Sequence, residues 1–283
     1  MPHTQHRALA RERAFFTGET PATAAAETTR SGSLGIDDCS PAQRRLRALL
    51  ALAVFNTGPL SAGLWTTSLA DLSAYTVVMS PRRDKLVLIS NAPDNIATRL
   101  LPRDDKQTLC LPGMRLLRLA EHGAAMLHLP TGAVVLATSR RDGTLDDLAD
   151  ERHSHWTTDH PMTDRESILL ASLPHLTADT ETLLAAVFVR MWMRSADWDL
   201  AGWFCPAASR NDDERALRHY RRLDGAGDHW SLTWTSWPHP DDLVAALTHP
   251  AAGLASVTVV RHPGYYEAHY GTASLRLDPR THS

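Results

Sequence analysis

The stretch from Met114 to Ser139 limits the fold most strongly, because its apolar residues recur at every second position. Leu117 and Leu119, then Ala125, Leu127 and Leu129, then Val134 and Leu136 each fall on one face of an extended chain. A period of two suits a half-buried strand and fits no helix. The turns Glu121-His122-Gly123 and Pro130-Thr131-Gly132 divide the stretch into three short strands and predict an antiparallel meander.

Helical signals surround it. Ser40-Pro41 is an N-cap followed by proline at the first helical position, and it predicts a helix to about Phe55. A second helix is expected over Leu60 to Ala74 and a strand over Lys85 to Ser90. Thr163-Asp164-Arg165-Glu166 is a capping box for a helix over Ile168 to Leu173. Thr177 to Arg194 predicts a helix that is apolar all round at Leu183 to Val189, hence buried. Beyond it the pattern gives a strand at Trp198 to Phe204 and a helix capped at Asn211 that stops at Gly225. Strand Trp230 to Trp237, helix Asp241 to Thr248, strand Ala255 to His262 and a final strand or strand pair over Tyr265 to Leu277 complete the series.

These signals predict an α+β fold with antiparallel sheets and helices packed on one face. Residues 1–39 read as a disordered leader, since Thr17 to Ser33 is rich in Thr, Ala, Glu, Gly and Ser. Residues 40–139 form an N-terminal lobe with the meander, residues 140–162 a linker or surface loop, and residues 163–283 a C-terminal lobe. No internal repeat is visible in the sequence.

With 43% apolar and 22% charged residues, the chain has the composition of an ordinary globular protein. Its net charge of −3 supplies no basic field, which argues against nucleic acid and anionic membranes as partners. Cys39, Cys110 and Cys205 are odd in number and widely spaced, so a cytoplasmic location is expected. No apolar run reaches the roughly 18 residues that a membrane span needs.

Chemistry concentrates in the second half. Six of the eight tryptophans fall between Trp192 and Trp237, and five histidines between His229 and His269. Trp230 and Trp234 share a strand face with Leu232 and belong to the core. Trp198 and Trp237, at strand ends, are candidate walls of a ligand site together with Tyr265. Tyr265, Glu267 and His269 share one strand face, and His262 lies across the Pro263-Gly264 turn. His262, Glu267 and His269 are therefore expected to meet, with Glu267 as a candidate acid–base group.

His239-Pro240-Asp241-Asp242 follows a strand and opens a helix. These four residues resemble the metal motif of zinc-dependent deacetylases of the LmbE-like, N-acetylglucosaminyl-phosphatidylinositol deacetylase type. The resemblance implies zinc ligands at His239 and Asp242 and a catalytic base at Asp241, with His262 or His269 completing the metal shell. It covers these four residues alone. In that family the motif lies near the N-terminus, whereas here it comes late and is followed by Leu243-Val244-Ala245-Ala246. The plain alternative is a helix start whose aspartates complement the helix dipole. His153-Ser154-His155 with Asp159-His160 resembles the signature of binuclear metallo-β-lactamase-type hydrolases, with two extra residues before the aspartate.

No phosphate-binding loop, dinucleotide fingerprint or G-x-S-x-G motif occurs. The sequence therefore points to an accessory protein that binds a protein partner or a small-molecule ligand, with no catalysis of its own and no cofactor expected. A small zinc-dependent hydrolase built on Asp241, His239, Asp242 and His269 is the first alternative. Nucleic-acid binding through arginine clusters is the second.

Overall fold

Each half of the chain builds a five-stranded sheet, and the two sheets share one strand order. The computed structural model describes residues 3–56, 75–102, 111–145, 157–200, 221–235 and 238–280. Among these residues the class is α+β. The first half holds helices α1 (His3–Thr17), α2 (Pro21–Ser31) and α3 (Pro41–Val54), strands β1 (Thr76–Pro81) and β2 (Lys85–Ser90), helix α4 (Pro93–Leu100), and strands β3 (Met114–Ala120), β4 (Gly123–His128) and β5 (Ala133–Thr138). The second holds helices α5 (Asp164–Ala171) and α6 (Ala178–Arg190), strands β6 (Arg221–Ala226) and β7 (His229–Thr235), helix α7 (Pro240–Thr248), and strands β8 (Thr258–His262), β9 (Tyr265–Tyr270) and β10 (Ala273–Arg280).

The orders are β1-β2-β5-β4-β3 and β6-β7-β10-β9-β8. The predicted meander is β3–β5, paired antiparallel throughout. The expectation of purely antiparallel sheets needs correcting, because each sheet closes through one parallel pair, β2 with β5 and β7 with β10. The helix after each hairpin, α4 or α7, carries the chain across the sheet so that the last strand of the meander lands beside the hairpin. Such a crossover is what a parallel neighbour requires.

Two buried helices lie between the sheets. Helix α3 packs on α6; α3 and α4 also pack on the first sheet, α6 and α7 on the second. Equivalent helix starts tie each helix to its own hairpin turn. Ser40 caps α3, and the buried Gln43 amide donates to Asp84 O (3.1 Å) and Val134 O (2.8 Å). Thr177 caps α6, and the Thr180 hydroxyl donates to Gly227 O at 2.8 Å. The inner sheet faces join these helices in one core that includes Met79, Leu88, Val135, Trp234, Leu275 and Leu277.

Residues 3–31 correct the expectation of a disordered leader. They form α1 and α2, which pack on each other, and α1 also packs against β1. Arg13 and Glu19 pair at 2.7 Å with side chains 0% exposed, and Arg13 also donates to Leu34 O and to Pro81 O (2.8 Å). Ser80 bonds to Glu19 from β1. Counting apolar residues misses this docking because a satisfied buried ion pair carries much of it.

Residues 221–226 correct a second expectation, since they pair antiparallel with β7 instead of ending a helix at Gly225. Leu223 is buried inward while Arg222 and Asp224 pair with each other on the outer side. The charged residues hide a period of two. The predicted Leu60–Ala74 helix, the start at Asn211, the His153–His155 motif and Trp237 lie outside the described residues, as does most of strand Trp198–Phe204.

Candidate functional site

Among the described residues no segment covers the outer face of the second sheet, whereas its first-half counterpart is sealed. Hairpin and crossover registers give matching positions. In the first sheet Val87 lies beside Leu136, and Leu136 faces Ala125. At the matching points of the second sheet Ser231 lies beside Arg276, and Arg276 faces Glu267. Val78, Val87, Ile89, Ala125 and Leu136 form a buried apolar cluster against which Leu145 packs. The chain after β5 folds back over it: Thr138 donates to Thr144 O at 2.8 Å, and Arg82 donates to Asp142 O at 2.9 Å. Gly143, at φ +68°, comes so close that a Cβ there would meet Val87 at 3.0 Å.

On the second sheet the same face is polar and, apart from the buried Thr233 and Ser274, half-buried to exposed. The Glu267 side chain is 31% exposed, His262 33%, His269 39% and Arg276 48%. The two-residue loop Pro263-Gly264, with Gly264 at φ +88°, sets His262 opposite Tyr265. Their rings stack with centroids 4.5 Å apart, and the Arg276 guanidinium lies 4.0 Å from the Tyr265 centroid. Glu267 Oε2 is 3.5 Å from His262 Nε2 and 3.7 Å from His269 Nε2. The expected meeting of His262, Glu267 and His269 is thus present. His229 extends the face through a 3.0 Å contact of its Nδ1 with the Ser274 hydroxyl.

The residues of the zinc reading are divided between the two faces of this sheet. His239 caps α7, its Nδ1 accepting from Asp241 N at 3.3 Å. Asp241 Oδ1 accepts the Tyr266 hydroxyl bond, which pushes the Tyr266 phenol above its usual range. Tyr266 alternates with Glu267 along β9 and so belongs to the helix-bearing face, whereas His269 stands on the outer one. The structure therefore does not bring His269 to His239 and Asp242. Among the described residues no three His, Cys, Asp or Glu side chains gather in a metal-holding group.

Two cavities adjoin the face-forming elements. One, of about 510 Å³, runs along residues 193–200 and includes both Trp198 and Asp242. Trp198 is 5% exposed and stacks on Phe16 with centroids 5.8 Å apart, while His249 meets it edge-on at 5.3 Å. Its indole is therefore mainly part of the contact that docks α1. The other cavity, of about 610 Å³, is bordered by Asp38, Arg44, His249, Ser256 and Tyr270. Ser256 holds φ +65°, an uncommon conformation for a residue with a side chain. Sequence reading did not find this cavity, because it joins residues 33–38 to residues 248–257 and only the folded chain relates them.

Cys39 is a free thiol whose pKa burial pushes up, so it lacks the thiolate character of a reactive cysteine. No described helix is long and apolar enough to cross a membrane. Comparison with models of protein families, with curated proteins and with solved structures finds no match.

Proposed function

We propose that the protein acts by binding a protein partner on the outer face of the second sheet. One observation carries this reading. The two sheets share a strand order, yet apolar positions sealed by the chain in the first are the polar Ser231, Arg276 and Glu267 in the second, with Arg276 exposed and the other two half-buried. Tyrosine and arginine are the side chains that most often anchor interfaces, and Tyr265 and Arg276 stand together here. Stacking by His262 and the contacts of Glu267 restrain these side chains before any partner arrives, which lowers the ordering cost of association.

The test compares wild type with a Tyr265→Ala/Arg276→Ala double variant, each immobilised and exposed to extract of the native cell. Specific partners retained by wild type should fall by at least about 10-fold on the variant, a loss of roughly 1.4 kcal/mol. Equal capture by both proteins overturns the assignment of this face. A second reading, a small-molecule ligand, is favoured by the 610 Å³ cavity and the strained Ser256 at its border. It predicts that filling the cavity with Ser256→Trp abolishes ligand-induced thermal stabilisation and leaves partner capture unchanged.

A further inference from the structure

Three of the four sheet edges are occupied by the chain itself. On β1, Pro81 O accepts from Arg13 and Val77 O from Arg194 (3.5 Å). On β6, the Asn56 side chain bonds both backbone groups of Leu223, donating to its O at 2.9 Å and accepting from its N at 3.1 Å. On β3, a bulge interrupts the ladder between Leu116 and Arg118, and Leu116 bridges to Thr157 in parallel. Arg115 secures that segment by donating to His160 O and Pro161 O, each at 2.8 Å. The fourth edge, β8, has no such cover among the described residues.

Register identifies the open groups. His262 and Tyr265 flank a two-residue loop, so they form a hydrogen-bonded pair, and Val260 and Thr258 likewise face β9. The N–H and C=O of Val259 and Arg261 then point away from the sheet. Counting back from each hairpin and skipping the bulged Leu117 makes Val259 the counterpart of Leu116, the residue that takes Thr157. Thus the first sheet already takes a residue of the chain, Thr157, as a bridge at the position that has no such partner among the described residues of the second.

We propose that this edge pairs with β8 of a second copy of the chain, antiparallel across a twofold axis through Val260. The strand is complementary to itself in that register. Val259 faces the partner's Arg261 as a hydrogen-bonded pair, giving about four backbone bonds in all. Thr258 faces the partner's His262, so no like charges meet. Val260, 46% exposed and one of few large apolar side chains in the open, meets its own counterpart on the axis. The product is a continuous ten-stranded sheet whose two polar faces lie on the same side. Pairing of one short strand buries far less than a standard interface, so association is weak and visible only at high concentration.

Sedimentation of the full chain up to roughly 500 µM tests this, because weak dimers populate only near their Kd. Wild type should move from monomer towards dimer, and Val259→Pro should stay monomeric with unchanged circular dichroism and melting. Proline is tolerated on an edge where the lost N–H faces solvent. Cross-linking keeps the test decisive if that variant misfolds. Val260→Cys should oxidise to a disulfide dimer at least about 10-fold faster than Val259→Cys, since pairs without backbone bonds lie about 4.5 Å apart at Cα, within disulfide reach. Wild type that stays monomeric throughout, or two cysteine variants that oxidise at one rate, overturns the proposal.

Discussion

In the first sheet the outer face is apolar and the chain after β5 returns to seal it; in the second the matching positions are polar and partly to fully exposed. The helices beneath are equivalent, and so are the caps and turn contacts that fix them. The difference teaches that strand order is set by the inner face, which both sheets share in character, while the outer face is free to vary. An arginine in place of Leu136 would bury a charge in the sealed apolar cluster of the first sheet, yet Arg276 holds that same position in the second.

The contrast is sharpest at Arg115. It pairs with Glu166 at 2.8 Å, the two side chains being 0% and 1% exposed, and Glu166 also accepts from Gly113 N and caps α5. Its counterpart by register is Thr258, exposed on β8. Arg115→Ala leaves a carboxylate buried without its partner and should lower unfolding stability by about 3–5 kcal/mol in urea titration. Thr258→Ala should change it by less than about 0.5 kcal/mol. Equal effects would break the comparison.

His128 gives the next largest effect, through pH. It is buried on β4, where Nε2–H donates to Pro112 O (3.1 Å) and Nδ1 accepts from the Thr131 hydroxyl (2.9 Å). Burial favours the neutral ring and pulls its pKa down to about 4 from 6.5. Because the folded value is depressed, the unfolded chain binds the extra proton between pH 6.5 and 4. The stabilisation is fully present above pH 6.5 and is lost as pH falls to 4, amounting to about 3 kcal/mol. The matching position in the second sheet holds Tyr270 in place of a histidine. Stability of wild type and His128→Gln should therefore converge as pH falls through this window; parallel curves would refute the assignment.

Deleting apolar bulk on the outer faces separates them directly. Leu136 is 7% exposed within its sealed cluster, so Leu136→Ala should cost about 2–4 kcal/mol. Arg276→Ala at the matching position should cost less than about 1 kcal/mol, because its side chain is 48% exposed. Thermal melts of the two variants read the difference.

How much of this was legible beforehand follows from the range of each interaction. The meander was readable because its pairings span two-to-four-residue turns and leave a local period of two. The meeting of His262, Glu267 and His269 was readable for the same reason. The parallel closure of β2 on β5 was not, since no local pattern records a pairing across a crossover. No local pattern records the repeat, because matching positions share pairing and not identity: Gln43 corresponds to Thr180, His128 to Tyr270 and Ala125 to Glu267. Arg13 and Glu19 look like surface residues until Leu34 O and Pro81 O are brought to them.

The smallest effect is the most discriminating for function. Glu267 stands between two histidines at 3.5 and 3.7 Å, with its side chain 31% exposed. At such exposure water and salt screen the attraction, so the contacts add little to folding. Glu267→Gln keeps the shape and removes the charge; its unfolding midpoint should shift by less than about 0.5 kcal/mol. That outcome leaves the arrangement of this face free for the partner binding proposed above, since the fold does not depend on it. If Glu267→Gln instead costs as much as Leu136→Ala, the polar face of the second sheet is a structural element like the sealed face of the first.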